Sequence, residues 1–172
     1  MKLKFFNVKL EILEKEVPIL AESIENLNGK TILLDITREL KGKASEAKFK
    51  VTIENGQPIG KIVYFGLNQN FARRLVRIGT NGIEDSFVAI SKDNVKLRIK
   101  PLLVTRKKVP RSIRKKIREN ARKILEDFVK KNEKKEIFDS VINYAIQKEM
   151  VKQIKKIYPL SVCEIRRIYV ER

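Results

Sequence analysis

The sequence TRKKVPRSIRKKIR, residues 105–118, separates two patterns of apolar residues and decides the predicted fold. Eight of its fourteen residues are Lys or Arg, and none is acidic. Before this stretch apolar residues alternate with polar ones, as along strands; after Pro110 they recur every third or fourth position, as along helices. Proline suits the first turn of a helix, where its missing N–H leaves no bond unmade. The stretch therefore predicts a basic loop followed by a helix that starts at Pro110.

Helical spacing continues beyond Pro110 in a single apolar stripe. That stripe comprises Ile113, Ile117, Ala121, Ile124 and Phe128. Similar spacing predicts a second helix that starts near Ile137 and a third, short helix over 150–157. Pro159 ends the last helix, and VCEIRRIYV at 162–170 predicts a closing strand.

Strands and tight turns are predicted for most of the chain before the basic stretch. Asn55-Gly56 and Lys92-Asp93-Asn94 are turn signals, because Asn and Gly tolerate positive φ. Pro101 is expected to interrupt the strand that follows the second turn. The predicted strands lie at 2–13, with a bulge near Asn7, at 31–36, and in hairpins over 40–65 and 85–100.

Two short helices are predicted within this strand-rich part. Residues 18–27 form the first, and 68–78 form the second, which Asn68 or Asn70 can cap. The predicted buried stripe of the second helix is Phe71, Leu75 and Ile78.

These patterns predict an α+β fold in which C-terminal helices return to a final strand. The strand-rich part covers 1–104, and the basic loop, helices and closing strand cover 105–172. The closing strand needs an earlier strand as a partner, so residues 1–172 are interpreted as a single domain rather than two.

The charge balance indicates a polyanionic partner. The chain has 39 Lys and Arg against 21 Asp and Glu, a formal net charge of +18. Such an excess repels itself in isolation, but it becomes favourable beside phosphates, whose condensed counterions it releases. The alternative is a soluble basic protein with many Lys–Glu pairs on its surface. The excess of Lys and Arg over Asp and Glu is too large for such pairing to explain it.

Several classes of site have no support in the sequence. The chain has no His, which excludes a histidine base or a histidine metal site, and it has no GxxxxGK[ST], GxGxxG or GxSxG motif. The single cysteine, Cys163, is predicted to be a buried, reduced thiol, as in an intracellular protein. There is no apolar run of about 20 residues, the length that spans a membrane. The sequence therefore favours a protein without cofactor, metal or catalytic activity.

Three polyanionic surfaces remain as partners of the basic stretch. A membrane-bound helix needs bulky apolar anchors on a free face, and this chain has no Trp. A DNA-reading helix belongs to a compact helical motif, which the surrounding strands make less favourable. Folded RNA fits a basic strand, loop and helix that contact phosphates by shape. Aromatic residues are 7% of the chain and mostly predicted to face inward, so base stacking is expected to be minor.

The candidate RNA-binding residues are the cations on polar faces of these elements. The cations of the short helix at 68–78 have two interpretations of equal weight: solvated helix charges, or RNA contacts. The candidates are Arg73, Arg74 and Arg77 in the short helix, Lys96, Arg98 and Lys100 in the strand, Arg106, Lys107 and Lys108 in the loop, and Arg111, Arg114, Lys115, Arg118 and Arg122 in the long helix.

Three segments resemble a known family. RRLVRIGTNGIEDSFVAISKDNVKLRIKPLLVT at 73–105 resembles the small-subunit ribosomal protein family of archaea and eukaryotes called S-one-e or S-three-A-e. RSIRKKIRE at 111–119 is similar to its basic helix start, and KKIYPLSVCEIRRIYV at 155–170 to its I-Y-P-L phrase and closing strand. Family members usually open with a Trp-Tyr pair, which this chain lacks, and the short C-terminal end resembles a compact archaeal type.

The resemblance implies a structural constituent of the small ribosomal subunit with a β-rich, barrel-like body and packed helices. Its implied place is the platform, near the rRNA 3′ end and the messenger exit, in the cytoplasm. The implied partners are small-subunit rRNA, neighbouring platform proteins and messenger RNA near the exit, with no membrane and no obligate homo-oligomer. A free-standing RNA-binding factor and an RNA-modifying enzyme remain the alternatives from the residues alone.

Overall fold

The computed structural model describes residues 3–13, 15–40 and 42–171. Over these ranges it contains nine strands, four α-helices and one 3-10 turn at Glu25–Leu27. The helices are α1 (Gln69–Leu75), α2 (Arg111–Lys131), α3 (Lys134–Ile142) and α4 (Ala145–Ile154). The strands are β1 (Lys4–Leu10), β2 (Glu16–Ala21), β3 (Thr31–Asp35), β4 (Ser45–Glu54), β5 (Gln57–Leu67), β6 (Gly82–Glu84), β7 (Phe87–Ile90), β8 (Lys96–Thr105) and β9 (Leu160–Val170).

One branched sheet contains all nine of these strands. Its main path runs β2-β1-β5-β9-β8-β6, with β3 and β4 attached along β5 and β7 attached to β8. The pairs are antiparallel except for the short parallel contact between β1 and β5. The predicted α+β class and the return to a closing strand are confirmed, since β9 lies between β5 and β8.

The core lies between the sheet and the helices. Strand residues such as Phe65, Leu97 and Ile168 belong to the same buried cluster as Ile117 of α2 and Phe138 of α3. The predicted apolar stripe of α2 is largely confirmed, and α3 and α4 follow as two helices. None of the helices in the described ranges is both long and apolar enough to cross a membrane.

Both predicted hairpin turns are present. Asn55 and Gly56 connect β4 to β5 with φ of 50° and 75°, the conformation that favours Asn-Gly in a two-residue turn. Asn94 has φ of 57° in the turn between β7 and β8. The prediction that Cys163 is buried is also confirmed, and burial raises the pKa of its thiol to about 12.

The N-terminal segment corrects two predictions. The helix over 18–27 is wrong, because residues Glu16–Ala21 form β2 and only Glu25–Leu27 form a 3-10 turn. β2 is an outer strand of the sheet, where Pro18 is tolerated opposite Asn7. The bulge near Asn7 is also wrong for the described residues, since β1 pairs with β2 in unbroken register.

Two further differences concern β8 and α1. Pro101 does not interrupt β8, because a register shift there leaves an extra residue, Arg166, in β9 and lets the strand continue to Thr105. Ile78 is fully exposed rather than buried, since α1 ends three residues earlier at Leu75. Asn68 caps α1 as predicted, its side chain accepting a hydrogen bond from the Asn70 N–H at 2.9 Å.

Candidate nucleic-acid interface

The loop between β8 and α2 is anchored at both ends by Asn81. The Thr105 N–H donates to the Asn81 carbonyl oxygen at 3.0 Å, and the Val109 N–H donates to Asn81 Oδ1 at 2.8 Å. Thr105 and Val109 are themselves buried. Between these anchors Arg106, Lys107 and Lys108 are exposed, so the loop presents three cations outward from a fixed backbone.

Asn81→Ala is expected to release this loop. The Val109 N–H would lose its acceptor, and an unsatisfied, partly buried donor costs about 1–3 kcal/mol. Native-state amide exchange should therefore accelerate at Val109, by roughly the factor of ten that about 1.4 kcal/mol represents. Asn70→Ala, at an exposed site in α1, is the matched control and should leave Val109 unchanged. Unchanged protection of Val109 in Asn81→Ala would contradict the anchor.

Four of the predicted cations of α2 meet at one groove. Arg111, Arg114, Lys115 and Arg118 line an open groove of about 660 Å³, whose other wall is Gly82 and Ile83 of β6. The helix turns an adjoining face, at Ile117 and Ala121, into the core. The Nε atom of Arg114 is buried and has no hydrogen-bond partner in the described part of the chain. Because four cations line it, the groove can accept an anion that supplies oxygen acceptors.

Glu119, the acidic residue that lines this groove, neutralises little of its positive charge. Lys115 Nζ lies 3.8 Å from Glu119 Oε1, and both side chains are largely exposed. Surface pairs of this kind contribute little, about 0.3–0.5 kcal/mol. Within the described ranges, Arg111, Arg114 and Arg118 take part in no ion pair.

Two other predicted cations already have carboxylate partners. Arg122 Nε lies 2.9 Å from Glu126 Oε1, and its guanidinium lies 5.1 Å from the centre of the Phe87 ring. Arg98 Nε donates to Glu171 Oε1 at 3.0 Å. These hydrogen bonds raise the pKa of both guanidiniums. Both are therefore less available to phosphates than the groove residues of α2.

The cations near α1 are exposed. Arg73 and Arg74 occupy the last turn of α1, where positive charge complements the helix dipole, and Arg77 follows the helix. α1 is held on the sheet by Ala72, which packs with Leu102 and Val104. Both interpretations of these arginines, helix charges and RNA contacts, fit this placement.

The sheet divides the predicted basic residues into two surfaces. Leu97 and Ile99 of β8 face the helices, so Lys96, Arg98 and Lys100 project from the opposite face. We call the surface that carries Lys96, Arg98 and Lys100 the sheet face. The loop–helix surface comprises Arg106, Lys107, Lys108, Arg111, Arg114, Lys115 and Arg118.

The sheet face also carries residues that the sequence did not single out. Lys48 of β4 pairs with Tyr64 of β5, and Arg167 of β9 pairs with Lys100. Lys50 and Tyr169 line one groove with these four residues. The alternation of Lys48 and Lys50 with Phe49 and Val51 could have shown that both lysines face outward. The contact between β5 and β9 joins segments far apart in the sequence, so local patterns could not have shown it.

Comparison with known proteins identifies the family. The sequence profile of the Ribosomal S3Ae family matches residues 12–172 of this chain. The chain belongs to the Ribosomal S3Ae family.

Three of its relatives are archaeal proteins that share one name. It is 27% identical over 160 residues to small ribosomal subunit protein eS1 of Halorubrum lacusprofundi, covering 88% of this chain and 73% of that protein. It is 31% identical over 124 residues to the protein of the same name from Nanoarchaeum equitans, covering 72% of this chain and 63% of that one. The Methanothermobacter thermautotrophicus protein is 26% identical over 133 residues, covering 74% and 68%.

Proposed function

We propose that this protein is a structural constituent of the small ribosomal subunit that binds rRNA through the loop–helix surface. The observation that carries the proposal is the groove where Arg111, Arg114, Lys115 and Arg118 converge, three of them without a carboxylate partner in the described ranges. Membership of a ribosomal protein family supports the same assignment.

Binding proceeds by phosphate neutralisation and shape fit. Arg111 to Arg118 spans about 10 Å along the helix axis, at 1.5 Å per residue. The anchored loop adds Arg106, Lys107 and Lys108 at the start of this line of charge. The backbone of the helix and of the tethered loop loses little conformational freedom when their cations meet a phosphate backbone, and phosphate contacts carry no base-specific information.

The wider assignment follows the family. Residues 1–172 act as one rRNA-binding domain, a proposal supported by the core that strands before residue 105 share with the later helices. The protein has no enzymatic role, cofactor or obligate homo-oligomer, and it does not bind a membrane. It occupies the platform near the rRNA 3′ end and the messenger exit, in contact with neighbouring platform proteins and with messenger RNA.

The test is a charge reversal on α2, Arg111→Glu, Lys115→Glu and Arg118→Glu together. Each lost phosphate contact reduces the slope of log K against log salt by about 0.9 for a duplex, so the triple variant should lose roughly 3 from the slope. Its affinity for a duplex RNA hairpin should fall at least about tenfold. Incorporation into small subunits should fall in parallel, as measured by sedimentation of cell extracts.

The matched control reverses the same charge on another helix. Lys148→Glu, Lys152→Glu and Lys155→Glu are exposed positions in and just after α4, and this variant should retain most of the salt slope and incorporation. Equal losses in both variants would mean that net charge, not the loop–helix surface, governs binding. Normal incorporation of the α2 variant would refute the assignment of this surface. Turnover of RNA by substoichiometric protein would instead favour an enzyme.

A further inference from the structure

The sheet face presents a row of side chains across four adjacent strands. Lys48 of β4 pairs with Tyr64 of β5, Tyr64 pairs with Tyr169 of β9, and Tyr169 pairs with Arg98 of β8. Directly paired residues point to the same side of a sheet. Two tyrosine rings are thus placed side by side and flanked by cations, on the side of the sheet opposite α2, α3 and α4.

The two rings are held in place by their neighbours. Their centroids lie 6.4 Å apart, with 31° between the ring planes. The Tyr64 ring lies over Gly66, where an added Cβ would come within 2.8 Å of the ring carbon Cζ. The Tyr64 hydroxyl donates to Glu46 Oε1 at 3.2 Å. Glycine at position 66 therefore leaves room for the ring to lie along the strand, where it lines a groove.

Cations surround the rings. Lys48 Nζ lies 5.2 Å from the Tyr64 ring centre, and Lys100 Nζ lies 5.7 Å from that of Tyr169. Both rings line an open groove of about 800 Å³ with Lys48, Lys50, Lys100 and Arg167. Within the described ranges none of these four cations forms an ion pair. The Arg167 Nε atom is buried and has no hydrogen-bond partner there.

The carboxylates of this face lie at its margins. Glu46 is engaged by the Tyr64 hydroxyl, and Glu171 is engaged by Arg98. The centre of the groove therefore combines two aromatic rings with four cations that have no anionic partner in the described residues. At the far end of β8, α1 covers Leu102 and Val104, which closes the face on that side.

We propose that the sheet face binds a single-stranded RNA segment. Unpaired bases stack on Tyr64 and Tyr169, and the intervening phosphates contact Lys48, Lys50, Lys100 and Arg167. Aromatic rings on a sheet suit unpaired bases, because every base has a π-face, whereas paired bases in a duplex are already stacked. The surrounding cations then neutralise the backbone. This proposal departs from the expectation that base stacking is minor in this protein.

This inference goes beyond the function proposed above, because it assigns a second face and a different form of RNA. The loop–helix surface meets phosphates of a folded duplex, and the sheet face reads the stacking surface of unpaired nucleotides. The two sites lie on opposite sides of the sheet, so they can be tested with separate RNA probes and separate variants.

The test uses the intrinsic fluorescence of the chain, which has four tyrosines and no Trp. A single-stranded RNA of about 12 nucleotides that cannot pair with itself should quench the fluorescence as it binds. Tyr64→Leu with Tyr169→Leu should remove most of the quenching and weaken single-strand binding, measured by anisotropy of a labelled RNA, at least about tenfold. Binding of a duplex hairpin should change less than about twofold.

Two controls make the outcome decisive. Tyr64→Phe with Tyr169→Phe keeps both rings and should retain single-strand binding, with circular dichroism confirming that each variant is folded. The triple variant of α2, Arg111→Glu, Lys115→Glu and Arg118→Glu, should bind the duplex hairpin more weakly. Its tyrosine fluorescence should still be quenched by the single-stranded RNA. Unchanged single-strand affinity in the leucine variant, or an equal loss for duplex and single strand, would overturn the proposal. The first of these results would leave the sheet face to a protein partner.

Discussion

Phe138→Ala is expected to lower the free energy of unfolding by about 3–5 kcal/mol. Phe138 is fully buried in α3 and belongs to the main core cluster between the helices and the sheet. The substitution removes apolar burial and leaves a cavity that close-packed neighbours fill only in part. Domains of this size are stable by about 5–15 kcal/mol, so the loss is a large fraction of the total. Urea denaturation at moderate salt measures it as a lower midpoint with an unchanged slope.

The control for this prediction is the same truncation at an exposed site. Phe5 in β1 is 73% exposed, and Phe5→Ala should change stability by no more than about 0.5 kcal/mol. A loss below about 1 kcal/mol in Phe138→Ala would mean that α3 does not pack on the sheet as described. Equal losses at both positions would contradict the assignment of inner and outer faces.

Lys43→Met is expected to destabilise the protein by about 3 kcal/mol at neutral pH, because it leaves the Glu164 carboxylate buried without a cationic partner. Lys43 Nζ lies 2.7 Å from Glu164 Oε1, whose side chain is 7% exposed. The lysine also lies 3.6 Å from the centre of the Tyr144 ring. The Lys43 side chain is 30% exposed, so the loss falls at the lower end of that expected for buried pairs.

The pH dependence of this loss has a definite sign. Burial raises the pKa of Glu164, and Lys43 opposes that rise. A carboxyl whose folded-state pKa is raised binds its proton more tightly when folded. Its contribution to stability is therefore lost as the pH rises from the pKa of the unfolded state, about 4.3, through the higher pKa of the folded state. Removing Lys43 raises the folded value further, so the difference from wild type should be largest near pH 7 and smallest near pH 4.

Chemical denaturation at both pH values measures this difference. Lys148→Met, at an exposed position of α4, is the matched control and should show little loss at either pH. Lys43→Met combined with Glu164→Leu should recover most of the stability, since replacing both members of a buried pair avoids the unpaired charge. A loss in Lys43→Met that does not depend on pH would point to lost packing of the lysine stem instead.

Local patterns predicted the elements that depend on local chemistry. Pro110 and the stripe through Ile117 and Ala121 predicted α2, because helical periodicity and a first-turn proline are both short-range signals. Asn55-Gly56 predicted its hairpin for the same reason. The helix predicted for residues 18–27 was wrong, because β2 forms through its pairing with β1. A segment with an ambiguous pattern adopts the structure that its tertiary partner stabilises.

The candidate site was predicted residue by residue but not as a surface. The exposed cations of α2 and the loop could be read from spacing, and the structure places four of the α2 cations at one groove. The separation of Lys96, Arg98 and Lys100 from them required knowing which face of β8 the helices cover. The two tyrosines of the sheet face required the pairing of β5 with β9, which no local pattern encodes.

The central position of β9 has a consequence for biosynthesis. Among the described strands β9 emerges last from the translating ribosome, yet it joins the strands attached to β5 to those attached to β8. Until it arrives, the edges of β5 and β8 that it covers have no partner, and such edges are prone to wrong pairing. Because a sheet closed by contacts so distant in sequence folds slowly, we expect these two strand edges to stay open to wrong pairing until β9 has been synthesised.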